Sequence, residues 1–272
     1  QVLIFLYKNY CCICQSYNKT LNKYLLFFFL MRHLVFGDMH GKRINELESV
    51  IDSEKIDSFI CLGDFDQVNV IKDVIDLEKR FNADGKSSII VPGNHDYAIF
   101  HNKDLYSGTL DMQDKTVFDL YSELHHNSEA KEYISYLLNK THGVETNIGN
   151  NSTYVVHGGL DGSLMSYFRC PEEIEDLWFR IDYGDMDYPK NFSRMKENGY
   201  NLLLRGHDHH RLYGYEVSGN TSFSEFVTKG GKFELKDSER HVVNPGAWFN
   251  GDYLIIDDSE NNVSLDYKNI ND

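Results

Sequence analysis

The sequence predicts an α/β fold with polar side chains at the carboxyl ends of its strands. Short continuous apolar runs recur along the chain, as expected of central strands that are covered on both faces. Stretches with helical spacing of apolar residues lie between these runs, and most of the runs end in a glycine-marked turn that carries Asp, Asn or His. The runs are Leu34–Phe36, Phe59–Leu62, Ile89–Val91, Tyr154–Val156, Leu202–Leu204 and Val242–Val243.

The composition is that of a soluble globular protein. The chain has 272 residues, of which 41% are hydrophobic and 25% charged, enough for one large domain or two small ones. Its formal net charge of −15 argues mildly against a nucleic-acid partner, because an acidic surface repels a phosphate backbone. Its five cysteines form neither a disulfide framework nor a zinc pattern. Free thiols fit a reducing compartment, so we expect a cytoplasmic protein.

Residues 1–30 differ in composition from the rest of the chain, carrying most of the cysteines and no acidic residue. Their longest apolar run, Tyr24–Met31, is far shorter than the ~20 residues of a membrane span, and the order of segments does not fit a secretory signal. We therefore expect a non-native or dispensable extension before a domain over 31–272, and no membrane partner. A membrane anchor and a packing arm are the alternatives.

Helices are predicted between the first strands. Lys42–Ser53 and Val68–Phe81 both place apolar residues at helical spacing. Two longer segments come later in the chain. Residues 97–149 lack strong strand signals and are predicted to be mainly helical, whereas residues 161–199 are rich in aromatic and acidic residues. We expect both to lie over the functional site as loops and helices, because long excursions at strand ends commonly carry function.

The strand ends carry carboxylate, imidazole and amide groups together, a set of ligands that suits manganese, iron or zinc. The ligands are too many for one tetrahedral ion, which predicts a pair of ions that act on one phosphate. Each motif is weak by itself, but five in succession, nearly all directly after an apolar run, are not incidental. They are Gly37-Asp38-Met39-His40-Gly41, Gly63-Asp64, Gly93-Asn94-His95-Asp96, His157-Gly158-Gly159 and Gly206-His207-Asp208-His209.

This order of motifs resembles the signature of the calcineurin-like metallophosphoesterases. The resemblance extends from Leu34 to about Asp258 and includes a turn, Asn244-Pro245-Gly246-Ala247, and a closing strand over Tyr253–Asp257. It implies a sandwich of two mixed β-sheets flanked by helices. The function that it implies is hydrolysis of phosphate esters, most simply phosphomonoesters, with two divalent metal ions.

The resemblance also implies a role for each motif residue. A metal-bound hydroxide would attack phosphorus, His95 would bind phosphate and protonate the leaving oxygen, and Asp96 would orient His95. Asp64 would bridge the two metals. One metal would be held by Asp38, His40, Asp64 and His209, and the other by Asp64, Asn94, His157 and His207. Manganese is the expected ion, with iron or zinc as alternatives.

Departures from the family pattern bear on the substrate. Many relatives carry Asp or Asn three residues after the bridging carboxylate, where this chain has Gln67, and Asp66 comes one residue earlier. Val68 and Pro92 stand where Ser/Thr protein phosphatases carry phosphate-binding arginines. His157-Gly158-Gly159-Leu160, however, resembles those enzymes and the symmetrical dinucleoside tetraphosphatases.

Several functions therefore stay open. We expect a phosphorylated small molecule or a phosphoprotein as substrate, and a Ser/Thr protein phosphatase or a dinucleoside polyphosphate hydrolase is the alternative. A phosphodiesterase, a nuclease and a non-catalytic scaffold are less favoured. Arg169, Arg180 and Arg205 are candidates to replace the missing arginines, although solvated or structural roles are the simpler expectation for each. The side chain of Asp208 is expected to point away from the metals.

Overall fold

The fold is a sandwich of two six-stranded mixed β-sheets with helices on both outer faces. The computed structural model describes residues 31–42, 44–101, 127–162, 172–181, 187–217, 221–227, 230–235, 239–259 and 262–272. The predicted architecture is confirmed. The predicted extension, residues 1–30, lies outside the described residues.

The first sheet is parallel on one side and antiparallel on the other. Its strands are β1 (Met31–Phe36), β2 (Ser58–Cys61), β3 (Ser87–Ile90), β9 (Gly231–Leu235), β11 (Asp252–Ser259) and β12 (Asn262–Asn269). They lie in the order β3-β2-β1-β11-β12-β9, and β1, β2 and β3 run parallel. The polar residues that follow these three strands therefore emerge at the same edge of the sheet.

The second sheet repeats this plan. Its strands are β4 (Gly143–Ile148), β5 (Asn151–Val156), β6 (Leu202–Leu204), β7 (Arg211–Val217), β8 (Thr221–Phe226) and β10 (Arg240–Pro245). They lie in the order β4-β5-β6-β10-β7-β8, with β5, β6 and β10 parallel. His157 and His207 follow two of these parallel strands, so the second sheet delivers its polar residues to one edge as well.

The core between the sheets explains why the strand sequences are continuously apolar. Val35 of β1 belongs to the same buried cluster as Leu204 and Val243 of the opposite sheet. Its neighbours Leu34 and Phe36 point the other way, into a cluster beneath the helices. Successive side chains of a strand alternate between faces, and here both faces are covered.

Five α-helices of the described chain cover or flank the sheets: α1 (Ile44–Glu54), α2 (Val68–Ala83), α3 (Asn94–His101), α4 (Ser128–Leu138) and α5 (Asp187–Asn198). Apolar residues of α1, α2 and α4 share the cluster on the outer face of the first sheet, and α5 packs on the outer face of the second. Two short 3₁₀ helices span Glu172–Leu177 and Trp248–Asn250. Among the residues that the structure describes, no helix has both the length and the apolar character needed to span a bilayer.

A buried carboxylate anchors α4 against α2. Glu78 of α2 is only 5% exposed, and it accepts hydrogen bonds from Tyr136 at 2.6 Å and from Lys140, just beyond α4, at 2.8 Å. The buried Glu78 carboxylate is thus paired and hydrogen-bonded, as buried charges need to be. This contact sets α4 beside α2 on the outer face.

The structure confirms the six predicted strands, the closing strand and the two predicted helices, with end shifts of a few residues. Of the two later segments, α4 and α5 pack on the outer faces of the sheets. Residues 102–126, 163–171 and 182–186 lie outside the described residues, so the expectation that these segments lie over the site stays a prediction. The segment 97–149, predicted to be mainly helical, also contains β4. This edge strand reads Gly-Val-Glu-Thr-Asn-Ile and lacks an apolar run, because neither of its faces is fully buried.

Candidate metal centre

The predicted ligands converge at the carboxyl ends of strands from both sheets. Two groups of ligand-capable atoms form there, with all atoms of a group within 4.8 Å of one another. One consists of Asp38, His40, Asp64 and His209, and the other of Asp64, His157 and His207. A third group combines His40, Asp66 and His95.

The first group has the spacing of ligands around a cation. The Nε2 atom of His40 lies 3.1 Å from Nε2 of His209, which in turn lies 3.4 Å from Oδ1 of Asp38. Tetrahedral ligands with bonds of about 2.0–2.2 Å are separated by roughly 3.3–3.6 Å. The residues present therefore fit a divalent metal at this position.

In the second group, the ring of His157 is oriented as a metal ligand requires. Its Nδ1 atom lies 2.5 Å from the carbonyl oxygen of Leu62, which only accepts, so Nδ1 carries the hydrogen. The Nε2 atom then faces two oxygen atoms, Oδ1 of Asn94 at 2.9 Å and Oδ2 of Asp64 at 3.2 Å, and a metal would take the place of the proton between them. A backbone carbonyl that fixes a ring in this way is a common supporting contact for ligand histidines.

Asp64 is shared by both groups. Its side chain is only 1% exposed, its Oδ2 atom faces His157, and its Oδ1 atom accepts a hydrogen bond from the backbone amide of His95 at 3.0 Å. Among the carboxylates that the structure describes, it alone is a member of both the four-residue group and the His157 group.

The ligand turns are built from left-handed backbone. Non-glycine residues rarely adopt positive φ, and each such residue costs on the order of 1–3 kcal/mol, so a concentration of them marks a functional site. Six of the seven described non-glycine residues with positive φ belong to the site: Asp38 (50°), His40 (44°), Asp64 (58°), Asp66 (57°), His207 (72°) and His209 (59°).

The motif glycines allow the turns to approach each other closely. A Cβ atom at Gly93 would collide with the carboxylate of Asp64, and one at Gly63 would collide with the backbone of Gly93. Gly63 also has a φ of +84°. The turn after β2 and the turn after β3 can therefore meet only because both turns contain glycine.

The electrostatics of the site prepare it for a cation. Burial by itself would raise the pKa of Asp64, but the rings of His157 and His95 outweigh it and hold that pKa well below its usual value. Burial lowers the pKa of His157, but Asp64, Asp38 and the carbonyl oxygen of Leu62 together raise it to about 9, so a metal bound there would displace a proton from the ring. Burial, His157 and Arg180 lower the pKa of His207, which favours the neutral ligand form.

Asp66 is the functional residue that sequence reasoning missed. Its Oδ2 atom lies 2.5 Å from Nδ1 of His40, and its Oδ1 atom lies 2.9 Å from Nδ1 of His95. Burial opposes ionisation of Asp66, but His95 and His40 lower its pKa to about 2. The sequence did contain a signal for Asp66, because this carboxylate comes one residue before Gln67, the position at which many relatives carry Asp or Asn. The side chain of Gln67 packs against Gly41.

The structure gives Asp96 other partners than the one predicted. Its carboxylate accepts hydrogen bonds from the backbone amides of Gly93 (2.7 Å), Asp64 (2.9 Å) and Phe65 (3.1 Å), and it is Asp66 that holds the ring of His95. As the third residue of α3, Asp96 reaches back to the amide that precedes the helix, as in a capping box. Burial and repulsion from Asp64 raise the pKa of Asp96 to about 7.

Two of the candidate arginines can be placed. Arg205 is fully buried and bonds the carboxylate of Asp208 and the carbonyl oxygens of Gly158 and Phe179, a structural role. Asp208 is thereby turned to Arg205, an orientation consistent with the expectation that its side chain points away from the metals. Arg180 is more exposed and lies 3.9 Å from Asp208, near enough to His207 to lower its pKa. Arg169 lies outside the described residues.

Comparison with known proteins decides the family. The profile of the calcineurin-like phosphoesterases matches residues 31–211, more than half of the chain. The chain belongs to the calcineurin-like phosphoesterase family. The family fold is also that of a solved metallophosphoesterase from Sphaerobacter thermophilus, at 22% identity and a TM-score of 0.59, with 89% of this chain and 88% of that chain covered.

More distant likenesses add no argument. The hypothetical protein PH1004 from Pyrococcus horikoshii OT3 is 17% identical over 80% of this chain and 77% of its own, with a TM-score of 0.46. No curated protein sequence matches the chain. Together, the family and the cluster of ligand-capable residues support metal-dependent phosphoester hydrolysis.

Proposed function

We propose that the protein is a phosphomonoesterase with a dinuclear metal centre. The observation that carries this proposal is the position of Asp64 between two groups of ligand-capable atoms. One metal would be held by Asp38, His40, Asp64 and His209, and the other by Asp64, Asn94, His157 and His207. Mixed oxygen and nitrogen ligands favour manganese and are compatible with iron or zinc.

Bound as a pair, such ions would supply a hydroxide nucleophile at neutral pH and neutralise charge on the phosphate. The residues of the chain then have separate tasks. The carboxylate of Asp66 holds the His95 ring through Nδ1, and we therefore propose that the opposite nitrogen, Nε2, transfers the proton. There His95 would protonate the leaving oxygen, as a general acid positioned by a charged partner.

Arg180 is the cation that we propose to contact the substrate phosphate. Its side chain is 36% exposed, and its guanidinium lies beside Asp208, between the ligand histidines His207 and His209 in the sequence. A guanidinium can bind two phosphate oxygens at once. Arg205 does not serve this purpose, because its side chain is fully buried and its guanidinium is bonded to Asp208 and to the carbonyl of Phe179.

The motifs indicate the substrate class less clearly than the resemblance implied. Gly158 is required by packing, since a Cβ atom there would collide with the carbonyl oxygen of Asp176. The amide of Gly159 donates to that same carbonyl at 2.9 Å. The His-Gly-Gly-Leu motif therefore has a structural explanation, and it does not favour a protein phosphatase or a dinucleoside polyphosphate hydrolase over a small-molecule phosphatase. We propose a phosphorylated small molecule or a phosphoprotein as substrate, in the cytoplasm.

A substrate screen tests this proposal. The purified chain, loaded with Mn²⁺, is assayed on phosphomonoesters, bis-p-nitrophenyl phosphate, dinucleoside polyphosphates and phosphopeptides. We expect monoesters to be hydrolysed fastest, and a chelator to abolish the activity. Faster cleavage of the diester would make the protein a phosphodiesterase. No hydrolysis of any compound with Mn²⁺, Fe²⁺ or Zn²⁺ would indicate a non-catalytic scaffold.

A further inference from the structure

An aromatic side chain that the proposed mechanism does not use stands beside the metal centre. The ring of Phe249 lies 5.3 Å from the ring of His40 and 5.2 Å from that of His209, centroid to centroid, with edge-on geometry in both cases. Its position is fixed by the backbone, because the amide of Phe249 donates to the carbonyl of Asp38 at 3.3 Å. The preceding residue, Trp248, is fully buried.

Lys42 supplies a positive charge at the same place. Its Nζ atom lies 5.3 Å from the centre of the Phe249 ring, the residue is exposed, and its ammonium forms no ion pair with any residue that the structure describes. This is notable in a chain with 42 acidic and 27 basic residues. An exposed cation–π contact is weak, so the ammonium remains able to bind an anion.

The substrate would reach the centre from this side. Asp38 and His157 are fully buried and His207 is 4% exposed, whereas the side chain of His209 is 36% exposed. The most accessible of the proposed ligands, His209, is therefore one of the two that contact Phe249.

The proposed general acid lies on the same side. The ring of His40 contacts Phe249 on one side and lies 4.9 Å from the ring of His95 on the other. A leaving group protonated by His95 would thus depart close to Phe249 and Lys42.

We propose that Phe249 and Lys42 form a subsite for an anionic aromatic leaving group. This inference rests on the proposed phosphatase function and names the substrate class for it. Phe249 presents an apolar surface to a planar ring, and Lys42 binds a carboxylate or a second phosphate on that ring. The scissile phosphate lies over the proposed metals, so the two ends of the substrate are recognised separately.

Three matched aryl phosphates isolate the contribution of charge: phenyl phosphate, 4-carbamoylphenyl phosphate and 4-carboxyphenyl phosphate. On each ester, kcat/KM of the Mn²⁺-loaded wild-type protein is compared with that of Lys42→Gln and Lys42→Arg. Differences in intrinsic reactivity among the three esters then cancel. We expect Lys42→Gln to lower kcat/KM about threefold to fivefold for the carboxylate alone. Lys42→Arg should retain most of the wild-type value, and added salt should shrink the difference because it screens exposed charges. Lys131→Gln, the same change at an exposed residue of α4, is the control.

Phe249→Leu tests the aromatic half of the subsite. It should lower kcat/KM about twofold to tenfold for the aryl phosphates and less for glycerol 2-phosphate, with metal content unchanged. Equal losses across the three aryl phosphates in Lys42→Gln, or an equal loss in Lys131→Gln, would overturn the subsite while leaving the phosphatase in place. If Phe249→Leu lowered kcat/KM equally for aryl and alkyl phosphates, Phe249 would not be part of the subsite. If the wild-type protein hydrolyses none of these esters, the proposed function fails, and the subsite fails with it.

Discussion

The Oδ1 atom of Asp66 lies 2.9 Å from Nδ1 of His95, and the other oxygen of the same carboxylate lies 2.5 Å from Nδ1 of His40. One carboxylate therefore holds both a proposed metal ligand and the proposed general acid. Asp66 thereby fixes the position of the His95 ring relative to the His40 ring.

Replacing Asp66 tests this connection. We expect Asp66→Asn to lower kcat about 10-fold to 100-fold, the range found for residues that orient metal ligands, with little change in melting temperature. Steady-state kinetics and thermal unfolding provide the two measurements. Asp84→Asn, at an exposed position after α2, should change neither. An unchanged kcat in Asp66→Asn would remove the residue from the mechanism.

Asp96 should matter for stability more than for chemistry. Asp96→Ala leaves the backbone amides of Gly93, Asp64 and Phe65 without their acceptor in the interior, and it should lower the free energy of unfolding by at least about 3 kcal/mol. Chemical denaturation of Asp96→Ala and His95→Ala makes the comparison, and His95→Ala should stay within about 1 kcal/mol of wild type. A fully stable Asp96→Ala protein that has lost activity would return Asp96 to the role of orienting His95.

The contribution of His95 can be separated by leaving group. His95→Ala should bind its metals and lose about 10²-fold to 10⁴-fold in rate for alkyl phosphates, whose basic leaving oxygen must be protonated as it departs. The loss should be smaller for p-nitrophenyl phosphate, whose leaving group departs readily as an anion. Rates across a leaving-group series check this. An equal loss throughout would mean that His95 mainly binds phosphate, and a lost metal would make it a ligand.

The first thirty residues should be dispensable. Strand β1 of the first sheet begins at Met31, and Met31 and Asp258 are the first residue pair between β1 and β11. A chain that starts at Met31 should fold, bind metal and retain full activity, as measured by thermal unfolding and phosphatase assay. Aggregation, or a large fall in melting temperature, would show instead that residues 1–30 pack on the domain.

The sequence was most informative where local pattern and function coincide. Ligands such as Asp38 and His157 directly follow apolar strands, and parallel strands bring their carboxyl ends to one edge, so both could be found without coordinates. The strands β7, β8, β9 and β12 were missed because they lack the continuous apolar runs by which the other strands were recognised.

The roles of Asp66 and Asp96 required the backbone geometry. Which carboxylate reaches His95 depends on the left-handed conformation of Asp66, whose φ is 57°, and the spacing of residues along the chain does not reveal it. Asp96 is adjacent to His95 in sequence, yet its place in the first turn of α3 directs it to backbone amides. Adjacency in sequence was therefore the wrong guide to contact.

The metal content of Asp64→Ala tests the dinuclear centre most directly. Wild-type protein, loaded with Mn²⁺ and freed of excess ion, should retain two metals per chain and hydrolyse phosphomonoesters. Asp64→Ala should retain one metal or none and lose nearly all activity, because both proposed sites depend on its carboxylate, whereas Asp73→Ala, at an exposed position on α2, should match wild type. Two metals per chain in Asp64→Ala would contradict the bridging role of Asp64 and the account built on it.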